Sequence, residues 1–257
     1  MSWPEVMKKV VDDLNPGDIV LIEIQHPGPT TPGRPFTPNE ARRGFIPPEW
    51  WPAGFDAIKD ATTKGIIVVE AAANGDVDLD DDALDTGAKG FPADWVNPFR
   101  RSSAEHDSGS ILVGAGSPPR HPHGPDVALP AARLKRFGPE RSRMQFSNFG
   151  SALDVQAWGA EVTTCGYGSL QGGPKDVRWY TDQFGGTSSA APIVAGVLAC
   201  LQGIQKAHGK PPLTPAQARK LLQDVGWDQT DGSGGKFPKT ERIGKRPDLS
   251  QLIPKLP

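Results

Sequence analysis

The stretch Gly185-Gly186-Thr187-Ser188-Ser189-Ala190-Ala191-Pro192-Ile193-Val194-Ala195-Gly196 decides the fold of this chain. Its small residues, with alanine at every fourth position from Ala191, predict a long helix with one narrow face that packs tightly inside a core. Ser188 opens that helix, where unpaired backbone N–H groups and the positive end of the helix dipole point outward. Such a place favours the oxyanion that forms when a hydroxyl attacks a carbonyl. It equally suits a serine that only caps a buried helix, so both interpretations stay open here.

Two further segments adjoin predicted strands: one closes a strand, and the other leads into one. Val69-Glu70-Ala71-Ala72-Ala73-Asn74-Gly75 closes an apolar run, and its asparagine amide can donate into a site at the carboxyl edge of a sheet, where open α/β sheets bind ligands. Taken alone, Asn-Gly is also an ordinary turn. The segment Gln145-Phe146-Ser147-Asn148-Phe149-Gly150-Ser151-Ala152-Leu153-Asp154-Val155-Gln156-Ala157-Trp158-Gly159 indicates by itself only a turn that leads into a strand.

Helices and strands alternate along the rest of the chain. Apolar spacing and end signals predict helices at 4–14, 51–63, 188–208 and from the capping box at Thr214 to Gly226. Apolar runs predict strands at 18–25, 65–70, 110–116, 153–158 and 161–165. Polar, proline-rich or acidic stretches predict loops at 26–48, 76–85 and 117–142. The first strand, the second helix and the second strand form a βαβ unit, which indicates an α/β protein with a parallel sheet.

Taken together, the three segments resemble the signatures of the subtilisin-like serine peptidase family, in the same order and with similar spacing. They correspond to its G-T-S-x-A-x-P, A-A-G-N and F-S-N-x-G-x-x-x-D-V-x-A-x-G patterns. The resemblance covers nearly the whole chain, apart from two long loops and the final stretch. It implies a subtilisin-like three-layer α/β fold, with a mostly parallel sheet between helices. The expected organisation is one domain over residues 1–257 that lacks the N-terminal part of the family's catalytic domain.

The resemblance also implies roles for particular residues. It makes Ser188 the nucleophile of a serine endopeptidase, Asn74 the side-chain donor to the oxyanion, and a polypeptide the substrate. The run Glu23-Ile24-Gln25 falls where the family pairs an extended substrate backbone, with Ala72 and Ala73 on the opposite side.

Two departures from the family pattern affect the primary specificity pocket. The family often has Ser-Leu-Gly where this chain has the bulkier Glu23 and Gln25 around Ile24. Ala73 replaces the usual glycine before the asparagine. The sedolisin-like carboxyl peptidases share the serine motif but place an acid where this chain has Asn74, so we rank them lower.

A subtilisin-type mechanism needs a histidine to take the serine proton and an aspartate to orient that histidine. In the family, D-[ST]-G and H-G-T precede the oxyanion asparagine, but His26 is the only histidine before Asn74 and it lacks the motif. Asp85-Thr86-Gly87 and His123-Gly124-Pro125 imitate these motifs, yet both follow Asn74. We therefore predict that neither is catalytic. The same holds for His106 and His121, which have no motif around them.

Three hypotheses follow from the missing motifs. The chain is the C-terminal part of an active peptidase and is nearly inactive by itself, because Ser188 has no base. Alternatively, it is a pseudopeptidase or peptide-binding module with a degenerate catalytic site. The third hypothesis is a fragment that does not fold stably because its sheet edges are unpaired.

Composition limits partners and cofactors. A net charge of -2 gives no basic field for nucleic acid or an anionic membrane. Cys165 and Cys200 predict two unpaired thiols rather than a disulfide or a zinc site. No apolar run is expected to span a membrane. We predict no cofactor; calcium at Asp76, Asp78, Asp80, Asp81 and Asp82 is the weaker alternative to a solvated loop. The family resemblance favours export, although the sequence shows no signal-peptide layout.

Overall fold

A central parallel sheet organises the chain in the computed structural model, which describes residues 2–29, 44–88, 90–101, 105–124 and 126–257. In chain order the elements are α1 (Trp3–Asp12), β1 (Ile19–Ile22), β2 (His26–Pro27), β3 (Phe45–Ile46), α2 (Pro52–Thr63), β4 (Ile67–Ala71), β5 (Ile111–Gly116), α3 (Ala131–Phe137), β6 (Val155–Trp158), β7 (Val162–Cys165), β8 (Tyr180–Phe184), α4 (Thr187–Ala207), α5 (Pro215–Asp224) and α6 (Leu249–Leu252). The main sheet has the order β1-β4-β5-β6, and every neighbouring pair is parallel.

Helices cover both faces of this sheet. Successive side chains of a strand point to opposite faces, so Val69 of β4 packs into the core that contains Leu198 of α4, while Val68 packs with Ile58 of α2. Met7 of α1 belongs to the same cluster as Val68 and Ile58. The arrangement is a three-layer α/β fold, which confirms the predicted fold class and the βαβ unit formed by β1, α2 and β4.

Helix α4 is the longest apolar element of the described chain. Its length and composition suffice for a membrane crossing, so the expectation that no apolar run reaches that length was too strict. Here it packs against all four strands of the main sheet, as a core helix does. Buried residues spaced along it, including Ala191, Val194, Leu198 and Leu201, explain why small and apolar residues recur there.

Several predicted boundaries change in the structure. Strand β1 spans Ile19–Ile22, so the expected strand 18–25 starts one residue too early and ends three residues too late. The expected loop 26–48 contains the antiparallel pair β2–β3, and Ile46 is fully buried; the prediction that this segment lies outside the core is wrong at its C-terminal end, whereas 30–43 lie outside the described residues. The expected loop 117–142 contains α3. Strand β8, which pairs with β7, was not predicted because its sequence is largely polar.

The remaining helix predictions agree with the structure. Helix α5 starts after Thr214 with the predicted capping box, and α2 ends at Thr63. Cys165 and Cys200 are both free and exposed, as expected.

A buried ionic network lies beneath β4, β5 and β6. Arg101 donates to Asp154 at 2.9 Å and to Glu49 at 3.3 Å, and the Asp154 carboxylate also accepts from the Leu112 backbone N–H. Glu70 of β4 is fully buried beside Glu49, whose backbone N–H donates to it. Burial, and then the charge of Glu49, raise the pKa of Glu70 well above its ordinary value, which favours a neutral carboxyl.

The raised pKa of Glu70 makes stability depend on pH. An unfolded glutamate titrates near pH ~4.3, so above that pH the folded chain holds a proton that the unfolded chain has lost, and stability falls as pH rises. Glu70→Gln keeps this position neutral at every pH. We expect thermal unfolding between pH 4 and 8 to show that the melting temperature of Glu70→Gln, relative to that of wild type, increases as pH rises. The exposed Glu105→Gln serves as the one-charge control, and parallel pH profiles for Glu70→Gln and wild type would contradict this account.

Candidate active site

Asn74 and Ser188 meet where β4 ends and α4 begins. The Asn74 Oδ1 atom accepts a hydrogen bond from the Thr187 backbone N–H at 2.8 Å and from the Thr187 hydroxyl at 3.1 Å. Gly186 turns the chain into α4 with φ of +105°, a conformation that favours glycine. The residue after Thr187 is Ser188, so the structure brings together the two residues that the sequence analysis singled out.

A buried asparagine holds the backbone around Asn74. The Asn148 Oδ1 atom accepts from the N–H groups of Gly75 and Val77 at 3.1 and 2.9 Å, and its Nδ2 donates to the carbonyls of Ala72 and Phe45 at 2.7 and 2.8 Å. All four hydrogen-bonding positions of this carboxamide are therefore used. The segment 145–159, which indicated only a turn and a strand in sequence, supplies the residue that shapes the Asn74 loop.

Gly75 and Ala73 show how tightly this loop is folded. A Cβ atom on Gly75 would lie 2.1 Å from the Phe45 carbonyl oxygen, so no larger residue fits there. Ala73, with φ of +70°, lies in the left-handed region that costs an L-residue about 1–2 kcal/mol. The family pattern has glycine at this position, and the backbone conformation supplies the physical reason. Ala73 thus adopts, with a methyl group, a backbone conformation that glycine reaches at lower cost.

Arg143 anchors the next turn of the same loop. Its guanidinium donates to Asp76 at 2.8 Å and to Glu241 at 2.7 Å, and it lies over the rings of Phe149 and Phe237 at 4.5 and 4.8 Å. Only 3% of this side chain is exposed. The loop that carries Asn74 and Asp76 is thereby tied to the C-terminal part of the chain.

The remaining aspartates of the acidic loop face separate protein donors. Asp80 accepts from the backbone and hydroxyl of Ser151, Asp81 caps a short 3-10 helix, and Asp82 pairs with Arg100. Within the described ranges no three His, Cys, Asp or Glu side chains converge as a metal site would require. The absence of a cofactor stays a prediction, with calcium at 76–82 as its weaker alternative.

A cavity of about 410 Å³ adjoins Ser188. Its walls include Glu23, Phe184, Pro192, Ile193 and strand β7. Desolvation beside the cavity raises the pKa of Glu23, although much of the residue is exposed. No histidine lines this cavity in the part of the chain that the structure describes. The cavity beside Ser188 therefore has space for a side chain from another segment or another molecule.

The predicted substrate-binding residues differ in what they touch. Glu23, Ile24 and Gln25 follow β1 and pair with no strand among the described residues, contrary to the expected strand 18–25. Glu23 faces the cavity, Ile24 is 41% exposed, and Gln25 hydrogen-bonds Asn74. Ala72 and Ala73 are buried as whole residues, and Asn148 donates to both of their carbonyls, so neither presents a surface to a peptide here. No sequence signal indicated the Gln25–Asn74 contact.

Asp85 and His123, which belong to the segments that imitate the family's aspartate and histidine motifs, contact other protein side chains. Arg100 and Asn97 donate to the Asp85 carboxylate, and the hydrogen bond from Arg100 is the main reason that the pKa of Asp85 is lowered. His123 Nδ1 lies 3.2 Å from the Thr163 hydroxyl, and its Nε2 lies 3.7 Å from Glu161. Neither Asp85 nor His123 lines the cavity at Ser188.

The fold and this site define a hydrolase-type α/β protein with a serine at a helix start and an amide donor at a strand end. The family model for the subtilase family matches residues 41–236, and the chain belongs to this family of serine peptidases. Subtilisin-like protease 6 of Trichophyton rubrum is 36% identical over 113 residues, which are 44% of this chain and 24% of that protein. Halolysin of Haloferax mediterranei is 25% identical over 146 residues, 53% of this chain and 24% of that protein. The chain thus spans about a quarter of the length of these curated relatives.

Solved structures share the fold across almost the whole chain. The patellamide maturation protease PatA matches with a TM-score of 0.55 and 19% identity, over 98% of this chain and 67% of that one. A lanthipeptide protease matches with a TM-score of 0.57 and 17% identity, over 98% and 66%. At these identities the likeness concerns the fold alone.

The strain at Ala73 can be isolated with a matched pair. Ala72→Gly and Ala73→Gly remove the same methyl group from equally buried positions, but only Ala73 has a positive φ. We expect Ala73→Gly to be less destabilising than Ala72→Gly by about 1–2 kcal/mol, the cost of the left-handed conformation for alanine. Urea denaturation measures both free energies of unfolding. Equal values would contradict the strained conformation.

Proposed function

We propose that Ser188 is the nucleophile of a peptide-cleaving site and that Asn74 stabilises the oxyanion. The observation that carries this proposal is the pair of hydrogen bonds from Thr187 to Asn74 Oδ1, which holds the amide beside the serine. The chain's membership of the subtilase family implies polypeptide substrates.

The chemistry has two stages, acylation of Ser188 and hydrolysis of the acyl-enzyme. The Ser188 oxygen bonds to the peptide carbonyl carbon, the π electrons move onto the carbonyl oxygen, and the hydroxyl proton passes to a base. Collapse of the tetrahedral intermediate expels the amine, which takes up a proton, and water then hydrolyses the acyl-serine. Asn74 donates to the negative oxygen; in subtilisin itself, loss of one such donor costs about 2.7–4 kcal/mol.

We place the base outside residues 1–257. The cavity beside Ser188 has no histidine among its described lining residues, and β1 pairs only with β4 in the described part of the sheet. Leu21 on β1, and Val6 and Val10 on α1, are apolar residues that are 37–45% exposed. A polypeptide segment that adds strands to the free edge of β1 and carries the histidine and aspartate fits these features.

Labelling of Ser188 by a fluorophosphonate tests the role of the serine. Without a base the reaction should be slow, because removal of the histidine of subtilisin alone costs about 2 × 10⁶ in kcat. The cavity of about 410 Å³ has room for a free imidazole. We expect added imidazole to accelerate labelling saturably, as measured by intact-mass spectrometry. Ser188→Ala should abolish labelling, whereas Ser233→Ala, at an exposed serine, should not.

Two outcomes would change the proposal. Rapid labelling without imidazole would place a functional base within this chain. Labelling that persists in Ser188→Ala would remove Ser188 from the nucleophile's role.

A peptide-binding module is the second candidate function. It is favoured by the hydrogen bond from Asn74 Nδ2 to Gln25, which occupies a catalytic donor, and by the cavity without histidine. If this candidate is correct, imidazole gives no saturable acceleration, and calorimetry shows extended peptides binding wild type and Ser188→Ala with equal affinity. The peptidase proposal instead predicts a saturable response to imidazole that depends on Ser188.

A further inference from the structure

The side chain of Gln25 accepts hydrogen bonds from two groups of Asn74, the backbone N–H and the side-chain Nδ2. Its Oε1 atom accepts from the Asn74 backbone N–H at 2.9 Å and from Asn74 Nδ2 at 3.2 Å. The other end of the same carboxamide, Oδ1, is held by Thr187. Thr187 therefore fixes the amide's orientation, and Gln25 takes one of the two hydrogen bonds that the Nδ2 group can donate.

Strand register explains how Gln25 reaches Asn74. Strands β1 and β4 are parallel, and Ile22 lies opposite Glu70. Three residues beyond Ile22 is Gln25, and four residues beyond Glu70 is Asn74, so both follow their strands at the same edge of the sheet. A glycine in place of Gln25, as in the family pattern, would have no side chain to make this contact.

We propose that Gln25 is a displaceable gate on the oxyanion donor of this site, which occupies Asn74 until an acyl group takes its place. The proposal rests on the proposed roles of Ser188 and Asn74. The Gln25 Oε1 atom is an amide carbonyl oxygen, the same kind of acceptor as the scissile peptide carbonyl. The Asn74 Nδ2 group carries two N–H donors, and the gate acts on the one that Gln25 holds, which an acyl oxygen at Ser188 can use only after Gln25 withdraws.

The surroundings of Gln25 allow such a movement. The residue is only partly buried and lies on the segment after β1, which has no strand partner in the part of the chain that the structure describes. A neutral amide acceptor is held about half as strongly as an ionised oxygen, so an oxyanion displaces Gln25 more readily than a neutral carbonyl does. Gln25 thus selects for ligands that develop negative charge at this position.

Phenylboronic acid tests the gate without a catalytic base. The empty boron orbital accepts a lone pair from the Ser188 oxygen, a B–O bond forms, and the hydroxyl proton passes to the buffer. The product is a tetrahedral boronate anion on the serine, with a boron-bound oxygen available to the Asn74 donor. Boron-11 NMR of the whole chain separates tetrahedral from trigonal boron and yields the dissociation constant.

Four variants test whether Gln25 acts through its hydrogen bonds to Asn74 or only by lining the site. Gln25→Ala should bind phenylboronic acid about tenfold more tightly, because the cost of breaking the Gln25–Asn74 hydrogen bonds disappears. Gln25→Glu should bind several-fold more weakly, because a carboxylate holds the donor more strongly. Removing Gln25 in an Asn74→Ala background should change binding less than twofold. Gln183→Ala, at an exposed glutamine, is the matched control and should match wild type.

The outcomes distinguish the gate from the proposed function. If no tetrahedral boron depends on Ser188, as judged with Ser188→Ala, the proposed function fails. If the adduct forms on Ser188 but Gln25→Ala binds equally or more weakly, or its gain persists without Asn74, the gate is overturned and the nucleophile stands.

Hydrogen exchange of the Asn74 side-chain amide provides an independent readout. The amide should exchange about tenfold faster in Gln25→Ala than in wild type, because its acceptor is gone. Asn74→Ala identifies the signal, and thermal melts establish that each variant is folded. Equal exchange rates would overturn the gate even if no boronate binds.

Discussion

The hydrogen bond from the Thr187 N–H to Asn74 Oδ1 joins the end of β4 to the start of α4, and the site is built on it. The first N–H groups of a helix have no partner within the helix, and the residue before α4, Gly186, has no side chain to cap it. Asn74, which follows β4, therefore caps the start of α4 from a segment distant in sequence. The same residue satisfies the fold and orients an amide beside Ser188, so structural and chemical requirements fall on one side chain.

Support for Asn74 comes from residues distant in sequence. Asn148 makes three of its four side-chain hydrogen bonds to the loop from Ala72 to Val77 and the fourth to Phe45, and Arg143 holds Asp76 from the following turn. A loop with so few regular hydrogen bonds of its own needs such external partners. The segments around Asn74 and Asn148 therefore occur together for a physical reason.

The substrate side of the site is where this chain departs from its family's pattern. Glu23 and Gln25 replace smaller residues, and they face the Ser188 cavity and the Asn74 amide respectively. A carboxyl whose pKa is raised by desolvation and a carboxamide on the Asn74 amide both alter the polarity of the site beside Ser188. Differences from other subtilases in reactivity or ligand preference are therefore expected to originate at the end of β1.

The sequence by itself determined the family, the alternation of helices and strands, and the pairing of Ser188 with Asn74, because these depend on local spacing and on motifs in a set order. Only the tertiary structure decided that β1 ends at Ile22, that Ile46 enters the core and that β7 pairs with β8, because strand pairing and burial depend on distant neighbours. The Gln25–Asn74 contact belongs to the same group. It exists because two parallel strands end in register, and nothing in the local sequence around Gln25 records which strand lies beside it.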